Sequence, residues 1–279
     1  MLQLAGLSID ALSTGGLATC IQLPGFDLAF DMGLCPRSAV ARSTVLFTHA
    51  HVDHMGSVIH HCATRALMGM KPPRYIVPAE NAADFRDLFE VWRRLDRSEL
   101  AHTLIEASPG DRIALGGGLH AVPFRSPHRV ICQGYTLYRS RTRLRADLSP
   151  DDPDGIRAAR ARGESVSEPF EVAEVAFTGD SLIEGVEQSV GARTARVLVM
   201  EVTFVDERVS VEQCRSKGHI HLDEVIERAA MFENEHLLFT HLSARYDDQE
   251  VARMLERRLP PLLRDRVTLL GHTAGALRF

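Results

Sequence analysis

The sequence predicts an α/β fold, with sheets in the middle of the molecule and helices outside. Short apolar runs typical of buried strands recur along the chain, helical segments follow them, and both halves show this alternation. With 279 residues, 45% of them hydrophobic, the chain can bury a sizeable core. It contains no internal repeat, and we expect a single domain over residues 1–279.

Strand-like runs dominate the first third of the chain. They are predicted at 17–23, 26–32, 44–48 and 74–78. Pro24-Gly25, a turn signal, joins the first two runs. A helix is predicted over 55–70, where two prolines follow its end. An amphipathic pattern predicts a second helix over 81–96, with Asn81 as its cap.

The second half continues the pattern around one irregular stretch. Residues 139–171 are basic, then acidic and rich in turn residues, then basic again, which predicts an exposed insertion. Strand-like runs lie between 102 and 139 and at 174–180, 196–204 and 237–241. Helices are predicted at 222–232 and 248–259.

Composition argues against several classes of protein. A formal net charge of −5 does not suit a generally basic nucleic-acid binder, although it leaves room for a local basic patch. The five cysteines are scattered and form no CxxC pair, so we expect neither a disulfide framework nor a cysteine zinc site. We find no signal-peptide pattern and no apolar run long enough for a membrane span. The expected location is the cytoplasm.

Polar residues crowd the end of the strand predicted at 44–48, where the sequence reads FTHAHVDH. Alternate residues of an extended segment point the same way, so His49 and His51 can converge on one metal ion. Asp53 and His54 lie just beyond, at the start of the predicted helix, and can face a second ion. Burying such side chains unpaired is unfavourable, so their spacing favours a metal site over a polar loop.

Other strand ends must complete the coordination shells. His128, Asp180 and His241 each follow an apolar run, and α/β folds tend to place their sites where strands give way to loops. Taken singly, each has an ordinary interpretation as a buried histidine or a turn aspartate. Together with residues 49–54, they favour a metal centre.

The order of these motifs resembles that of ribonuclease Z, the tRNA 3′-processing endonuclease of the metallo-β-lactamase superfamily. HAHVDH is similar to the HxHxDH signature of the superfamily, and HRVICQGY, FTGDS, MEVTF, GHIH and THLSARY follow in order. The similarity to the short plant form spans nearly the whole chain. It implies the metallo-β-lactamase αββα sandwich, with two mixed sheets between outer helices. It also implies a two-zinc centre, whose ligands can hold Mn or Fe as well.

The resemblance also implies a role for each site residue. The metal ligands would be His49, His51 and His128 for one ion, Asp53, His54 and His241 for the other, and Asp180 as the bridge. Asp31 matches a family position near the site, where it can support the ligands, although an ordinary turn residue at a strand end explains it equally well. With a hydroxide shared between two zinc ions, the centre would keep a charge of about +1, which suits attack on an anionic phosphodiester.

The departing 3′-oxygen needs a proton, and the family pattern points to Glu201 and a histidine of GHIH. Spacing favours His219 as the proton donor, oriented by Glu201, with His221 in a structural role. Many family members read His-Ser-Thr at this point, so the choice between the two histidines stays open. Asp53 is a further catalytic candidate, because it can receive the proton of the attacking water.

The stretch 125–145 contains six arginines and no acidic residue. RNA phosphates would explain this charge, and so would an ordinary solvated surface. The candidate phosphate contacts are Arg125, Arg129, Arg139, Arg141 and Arg143. The resemblance implies precursor tRNA as the partner and a homodimer as the assembly. The arm that grips tRNA in bacterial relatives is shorter here and lacks a Gly-Pro pair.

Three functions follow from these observations. The leading hypothesis is a zinc-dependent endoribonuclease that removes 3′ trailers from precursor tRNA. The second is a small-molecule phosphodiesterase or another hydrolase with the same metal centre, which the shortened arm favours. The third is a catalytically silent RNA-binding or partner-binding module, which the complete ligand set argues against.

Overall fold

Two β-sheets lie face to face, with helices on their outer sides. The computed structural model describes residues 1–272 and 276–278. The apolar layer between the sheets contains buried residues from both, among them Ile76 of the first sheet and Leu238 of the second. Across this layer the rings of Phe30 and Phe177 lie 5.1 Å apart. The αββα sandwich implied by the sequence is confirmed.

The first sheet has seven strands, which are hydrogen-bonded in chain order. They are β1 (Leu2–Leu4), β2 (Leu7–Thr14), β3 (Ala18–Leu23), β4 (Leu28–Phe30), β5 (Thr44–Leu46), β6 (Arg74–Pro78) and β7 (Thr103–Ala107). Strands β1 to β4 are antiparallel, and β4 to β7 are parallel. The four predicted runs are confirmed, the run at 74–78 with its predicted bounds and the other three with shorter ones, whereas β1 and β2 were not predicted.

Three helices cover the outer face of the first sheet. They are α1 (Val52–Met55), α2 (Val58–Leu67) and α3 (Ala82–Asp96). Phe85 and Phe89 of α3 pack with Tyr75 of β6 in a buried aromatic cluster. The predicted cap at Asn81 is wrong, because its side chain makes no capping hydrogen bond. Helix α1 is a single turn that carries Asp53 and His54.

Among the residues that the structure describes, the second sheet has eight strands, again in chain order. They are β8 (Ile113–Gly116), β9 (Leu119–Arg125), β10 (Gln133–Leu144), β11 (Ser167–Phe177), β12 (Val197–Glu201), β13 (His236–Thr240), β14 (Val267–Leu270) and β15 (Ala276–Arg278). Strands β11 to β14 are parallel, and the other pairs are antiparallel.

Seven further helices accompany the second sheet within the described residues. They are α4 (Pro153–Ala161), α5 (Glu184–Gln188), α6 (Val190–Thr194), α7 (Val211–Ser216), α8 (Leu222–Glu227), α9 (Asp248–Arg258) and α10 (Pro261–Arg264). The predicted helices near 222–232 and 248–259 are therefore confirmed as α8 and α9. No helix in the described part of the chain is long and apolar enough to cross a membrane. All five cysteines are free, as expected.

Strands β10 and β11 form a long hairpin that contains most of the predicted insertion. Their pairing runs from Tyr135 with Phe177 to Leu144 with Ser167, and α4 lies between the two strands in sequence. Residues 139–144 and 167–171 are thus paired strands, although they read as an irregular stretch in the sequence. Most side chains in the outer part of the hairpin are exposed or half-buried, as an insertion predicts.

Gly33 fixes the position of α1 beside the first sheet. Its N–H donates to the Thr19 carbonyl over 2.9 Å, and the N–H of Met32 donates to the His54 carbonyl over 2.6 Å. A Cβ at Gly33 would lie 1.7 Å from the carbonyl oxygen of Asp53. Any side chain here must therefore displace the backbone that carries Asp53 and His54.

We expect Gly33→Ala to lower the free energy of unfolding by about 1–3 kcal/mol, because the new methyl group overpacks this contact. The metal affinity should fall as well, since α1 is displaced. Urea unfolding and metal titration would measure both effects. Gly25→Ala is the matched control, because a Cβ at Gly25 meets no atom within 4 Å. Equal behaviour of the two variants would contradict the role given to Gly33.

Candidate metal centre

The predicted ligands come together at one edge of the sandwich, each beyond the end of a strand. The ligand atoms form two groups, within each of which they lie no more than 4.8 Å apart: His49, His51, His128 and Asp180 in one, and Asp53, His54 and His241 in the other. The same two sets are implied by the family resemblance. His219 joins a third such group with Asp180 and His241.

The group around His54 has the spacing of a metal site. Nε2 of His54 lies 3.3 Å from Nε2 of His241 and 3.7 Å from Oδ2 of Asp53. Nε2 of His241 lies 3.5 Å from the same Asp53 oxygen. Ligands about 2.1 Å from a tetrahedral ion lie about 3.4 Å from each other. These three side chains therefore surround a space that fits one ion.

The second group surrounds a neighbouring space. Nε2 of His49 lies 3.0 Å from Nδ1 of His51 and 3.8 Å from Oδ2 of Asp180. Nε2 of His128 lies 3.9 Å from that oxygen and has no hydrogen-bond partner among the described residues, although it is buried. Within the described residues Oδ1 of Asp180 likewise accepts no hydrogen bond, and it faces Nε2 of His54 and of His241 at 3.2 and 3.4 Å. Asp180 thus faces both groups, as a bridging ligand must.

Hydrogen bonds fix the orientation of four of the candidate ligand histidines. Nδ1 of His54 donates to Asp31 over 2.7 Å, and Nδ1 of His128 donates to the Gly218 carbonyl over 2.8 Å. A carboxylate and a backbone carbonyl have no proton to donate, so the proton of each hydrogen bond lies on Nδ1 of the histidine.

The Nδ1 atoms of the other two histidines face threonine hydroxyls. For His49 the partner is Thr48 at 2.9 Å, and for His241 it is Thr203 at 3.1 Å. Each hydroxyl gives its own proton to a carboxylate, so its oxygen accepts from the imidazole. In all four histidines Nε2 is left free for a metal ion.

Asp31 links the strand end to the ligands. Its Oδ1 accepts from the N–H of Thr48 over 2.8 Å, and its Oδ2 accepts from the Thr48 hydroxyl over 2.8 Å and from His54. The residue is fully buried and has a left-handed backbone with φ of 57°. Its carboxylate therefore acts through Thr48 and His54, in the supporting position that the sequence implies.

Electrostatics at the centre favour a cation. Burial alone would raise the pKa of Asp180, but the imidazoles of His241, His54 and His49 hold it well below its usual range. Burial alone would lower the pKa of His54, but the carboxylates of Asp180 and Asp31 hold it well above its usual value. Burial lowers the pKa of His51 and of His128. Ionised carboxylates and the neutral imidazoles of His51 and His128 are ligand forms that bind metal, and a bound cation would replace the proton that these carboxylates hold on His54, so this cluster can hold metal ions.

A carboxylate–histidine pair lies beside the ligands. Nδ1 of His219 is 2.9 Å from Oε1 of Glu201, and the buried Glu201 also accepts from the N–H of Ser181 and from the Thr203 hydroxyl. Burial would lower the pKa of His219, but the Glu201 carboxylate raises it to about 9. The imidazole also lies 3.9 Å from Asp180. The Glu201 carboxylate thus favours the protonated form of an imidazole that lies next to the candidate ligands.

His221 has a different environment. Its Nδ1 accepts from the N–H of Asp223 over 3.1 Å, so the side chain caps α8, and its Nε2 donates to the Asp206 carbonyl over 3.1 Å. Both ring nitrogens are engaged in the fold, and the residue is buried. This geometry supports His219, rather than His221, as the residue that faces a substrate.

The five candidate arginines fall into two groups. Arg139 and Arg141 approach Glu174 at 3.6 and 2.6 Å, and Arg143 approaches Glu168 at 2.8 Å, all on the β10–β11 hairpin. Ten residues of strand span ~33 Å, so the outermost of these arginines lies far from the metal ligands. Arg125 ends β9, only three positions before the ligand His128. The side chain of Arg129 lies next to Gly218.

Three supporting groups of the site were not predicted: Thr48, Thr203 and the Gly218 carbonyl. Each threonine lies within a quoted motif, FTHAHVDH or MEVTF, and its position at a strand end was the available signal. A backbone carbonyl has no side-chain signal in a sequence. Cys132 was not predicted at the site either, although its Sγ lies 3.8 Å from Nδ1 of His49.

Comparisons with known proteins agree with this geometry. A family model described as "Beta-lactamase superfamily domain" matches residues 24–242. The tRNase Z TRZ1 of Arabidopsis thaliana is 39% identical over 271 residues, which cover 96% of either chain. The chain belongs to the tRNase Z family. The chloroplastic tRNase Z TRZ2 of the same plant is 32% identical over 251 residues, or 89% of this chain and 71% of that protein.

The fold of the tRNase Z family is shared with a solved structure. Human tRNase Z, short form, superposes with a TM-score of 0.64 at 17% identity, covering 96% of this chain and 98% of that one. At this identity the likeness concerns the fold alone. The sequence-based expectations of the metallo-β-lactamase fold and of ribonuclease Z membership are both confirmed.

We expect Asp31→Asn to weaken metal binding by about 10–100-fold. The amide oxygen must accept from the N–H of Thr48, which turns the amide NH₂ towards His54. His54 must then carry its proton on Nε2, the atom that would face the ion. Competition with a chromophoric chelator would measure the affinity. Asp10→Asn is the control, since Asp10 accepts hydrogen bonds from Gln22 and Ser38 instead. Unchanged affinity in Asp31→Asn would contradict the proposed tautomer.

Proposed function

We propose that the protein is a metal-dependent endoribonuclease that removes 3′ trailers from precursor tRNA. The observation that carries this proposal is the Glu201–His219 pair beside a complete set of metal ligands. Membership of the tRNase Z family supports tRNA as the substrate. A metal site alone would suit many hydrolases, whereas a proton donor next to it suits the departure of a ribose oxygen.

We further propose two zinc ions as the cofactor. His49, His51 and His128 would hold one ion, Asp53, His54 and His241 would hold the other, and Asp180 would contact both. Imidazole nitrogen and carboxylate oxygen are common zinc donors, although Mn or Fe accepts them too. Two such ions, when bound, supply Lewis-acid activation of water and charge neutralisation of a phosphodiester.

The protein's own residues would manage the protons. Nε2 of His219 would give its proton to the departing 3′-oxygen, and the Glu201 carboxylate, which raises the pKa of His219 to about 9, favours the protonated form. Glu201 holds the ring by accepting from Nδ1. Asp53, whose Oδ2 accepts from the N–H of Gly16 over 2.9 Å, is the candidate acceptor for a proton of the attacking water. The products would be a tRNA with a free 3′-hydroxyl and a trailer with a 5′-phosphate.

The test is cleavage of a 3′-extended precursor tRNA, with the cut site mapped. The wild-type protein should release the trailer, and a chelator should abolish the reaction because the ligands lose their ions. We expect His219→Ala to reduce kcat by a factor of roughly 100 or more, since general acid catalysis contributes that much. Metal content should stay unchanged, because His219 is not among the proposed ligands.

His221→Ala is the matched comparison. It should lower the free energy of unfolding by about 1 kcal/mol, because α8 loses its cap, while kcat under folded conditions stays close to that of the wild type. Loss of turnover in His221→Ala rather than in His219→Ala would reverse the assignment. Cleavage of bis(p-nitrophenyl) phosphate without cleavage of precursor tRNA would favour the small-molecule phosphodiesterase.

We propose that the protein acts as a homodimer in a reducing compartment, the cytoplasm. The five free cysteines support such a compartment. Helix α3 presents an outward apolar stripe of Leu88, Val91, Trp92 and Leu95, of which Leu95 is 70% exposed. An apolar cavity of ≈ 340 Å³ lies between this helix and α1 and α2. Contiguous apolar surface of this kind is typical of an interface.

We expect Trp92→Glu to shift the protein from dimer to monomer, since an aromatic anchor is replaced by a charge. Light scattering coupled to size-exclusion chromatography would measure the mass. Leu262→Glu on α10, where the native side chain is 54% exposed, is the control and should leave the mass unchanged. A monomeric wild-type protein would contradict the proposal.

A further inference from the structure

A groove leads away from the metal centre at His128. Two adjoining depressions, of ≈ 310 and ≈ 290 Å³, share Arg125 and Pro109 in their walls. The first reaches the ligand His128, and the second continues to Gln188 and Ser189. We call this surface the Arg125 groove. It is continuous with the proposed active site, because a metal ligand forms part of its wall.

The backbone of the Arg125 groove is held firmly. Ser126 donates its hydroxyl proton to the Thr178 carbonyl over 2.6 Å, and the N–H of Leu182 donates to the Pro127 carbonyl over 2.7 Å. Arg125 itself pairs with Gln133 at the end of the β9–β10 ladder. A side chain on such a support has a defined position relative to His128.

Charge distinguishes Arg125 from the arginines of the hairpin. Arg139, Arg141 and Arg143 lie within 4 Å of glutamates of β11. In the part of the chain that the structure describes, Arg125 has no carboxylate within ion-pair distance, and its side chain is exposed. An unpaired guanidinium in a groove at the metal centre is suited to bind a phosphate. Glu80 is the acidic residue in the groove wall.

The position of His219 indicates which part of the precursor RNA would lie in the Arg125 groove. If His219 protonates the departing 3′-oxygen, the last nucleotide of the mature tRNA lies at His219. The walls of the Arg125 groove come from residues within 80–133 and 185–189 and include no residue of the GHIH segment, so the groove meets the metal centre at His128 rather than at His219. In an in-line displacement, the strand beyond the scissile phosphate continues away from the departing oxygen. That strand is the trailer.

We propose that the Arg125 groove binds the 3′ trailer of the precursor and that Arg125 contacts a trailer phosphate beyond the scissile one. Val130 and Ile131, which are 40% and 48% exposed, offer apolar surface to a trailer base. The proposal rests on the proposed function and deepens it, since it assigns single-stranded RNA of a defined polarity to this surface. Arg129 lies beside Gly218, on the His219 side, and is not part of the groove.

The test compares precursors with trailers of one and of six nucleotides. A one-nucleotide trailer has no phosphate beyond the scissile one, so Arg125→Gln should leave its kcat/KM unchanged. For the six-nucleotide trailer, kcat/KM should fall roughly tenfold, as expected for loss of one charged hydrogen bond. Arg253→Gln removes an exposed arginine of α9 and is the control for net charge; it should match the wild type with both substrates.

Binding to the metal-free protein gives a readout that does not depend on turnover. Fluorescence anisotropy in a chelator should show tighter binding of the six-nucleotide precursor than of the one-nucleotide precursor. Arg125→Gln should remove this difference and reduce the slope of log Kd against log salt by about 0.7, the contribution of one phosphate contact to a single strand.

Two outcomes would overturn the assignment of the groove. One is an equal loss with both trailers, which would place Arg125 on the tRNA side or in the fold. The other is no loss with either trailer. Failure of the wild-type protein to cleave any precursor would instead contradict the proposed function, and the dependence of binding on trailer length would still test the groove.

Discussion

The buried carboxylate of Asp180 is the interaction around which the centre is organised. A carboxylate that is 2% exposed needs positive charge nearby, because transfer of an unpaired charge from water is very unfavourable. The imidazoles that face it come from both halves of the sandwich: His54 follows the first sheet, and His241 follows β13 of the second. The electrostatic requirement of one side chain therefore ties together the edges of two sheets.

A second set of hydrogen bonds holds the candidate ligands in place, and the same ring nitrogen is used in each of four histidines. Each of four histidines gives its Nδ1 proton to an oxygen of the protein, so that Nε2 points inward. Thr203 connects this scheme to the catalytic candidates, because it contacts both His241 and Glu201. A change at His241 or at Glu201 therefore alters the hydrogen bonding of the other residue through Thr203. Metal binding and proton donation are in this way coupled in one hydrogen-bond network.

Much of the fold and of the candidate site could be predicted because the candidate ligands lie at strand ends. FTHAHVDH follows β5, and Asp180 and His241 follow β11 and β13, so the hydrophobic patterns correctly predicted that these residues lie just beyond strands. The sequence could not reveal that Gly218 supplies its carbonyl to His128, since every residue has a carbonyl group. Nor could it separate Arg125 from Arg141, because the distinction depends on Glu174, which is 33 residues further along the chain from Arg141.

The length of the β10–β11 hairpin determines how far its tip lies from the metal centre. Strand β10 begins at Gln133, whose N–H donates to the Thr48 carbonyl beside the ligands, and continues to Leu144 at the exposed end. A paired strand advances ~3.3 Å per residue and resists shortening, unlike a flexible loop. The distance of a hairpin residue from the metal centre is therefore set by the number of paired residues that separate it from Gln133. Removal or addition of paired residues in evolution would move the tip in fixed steps of about 7 Å per two residues while the ligands stay in place.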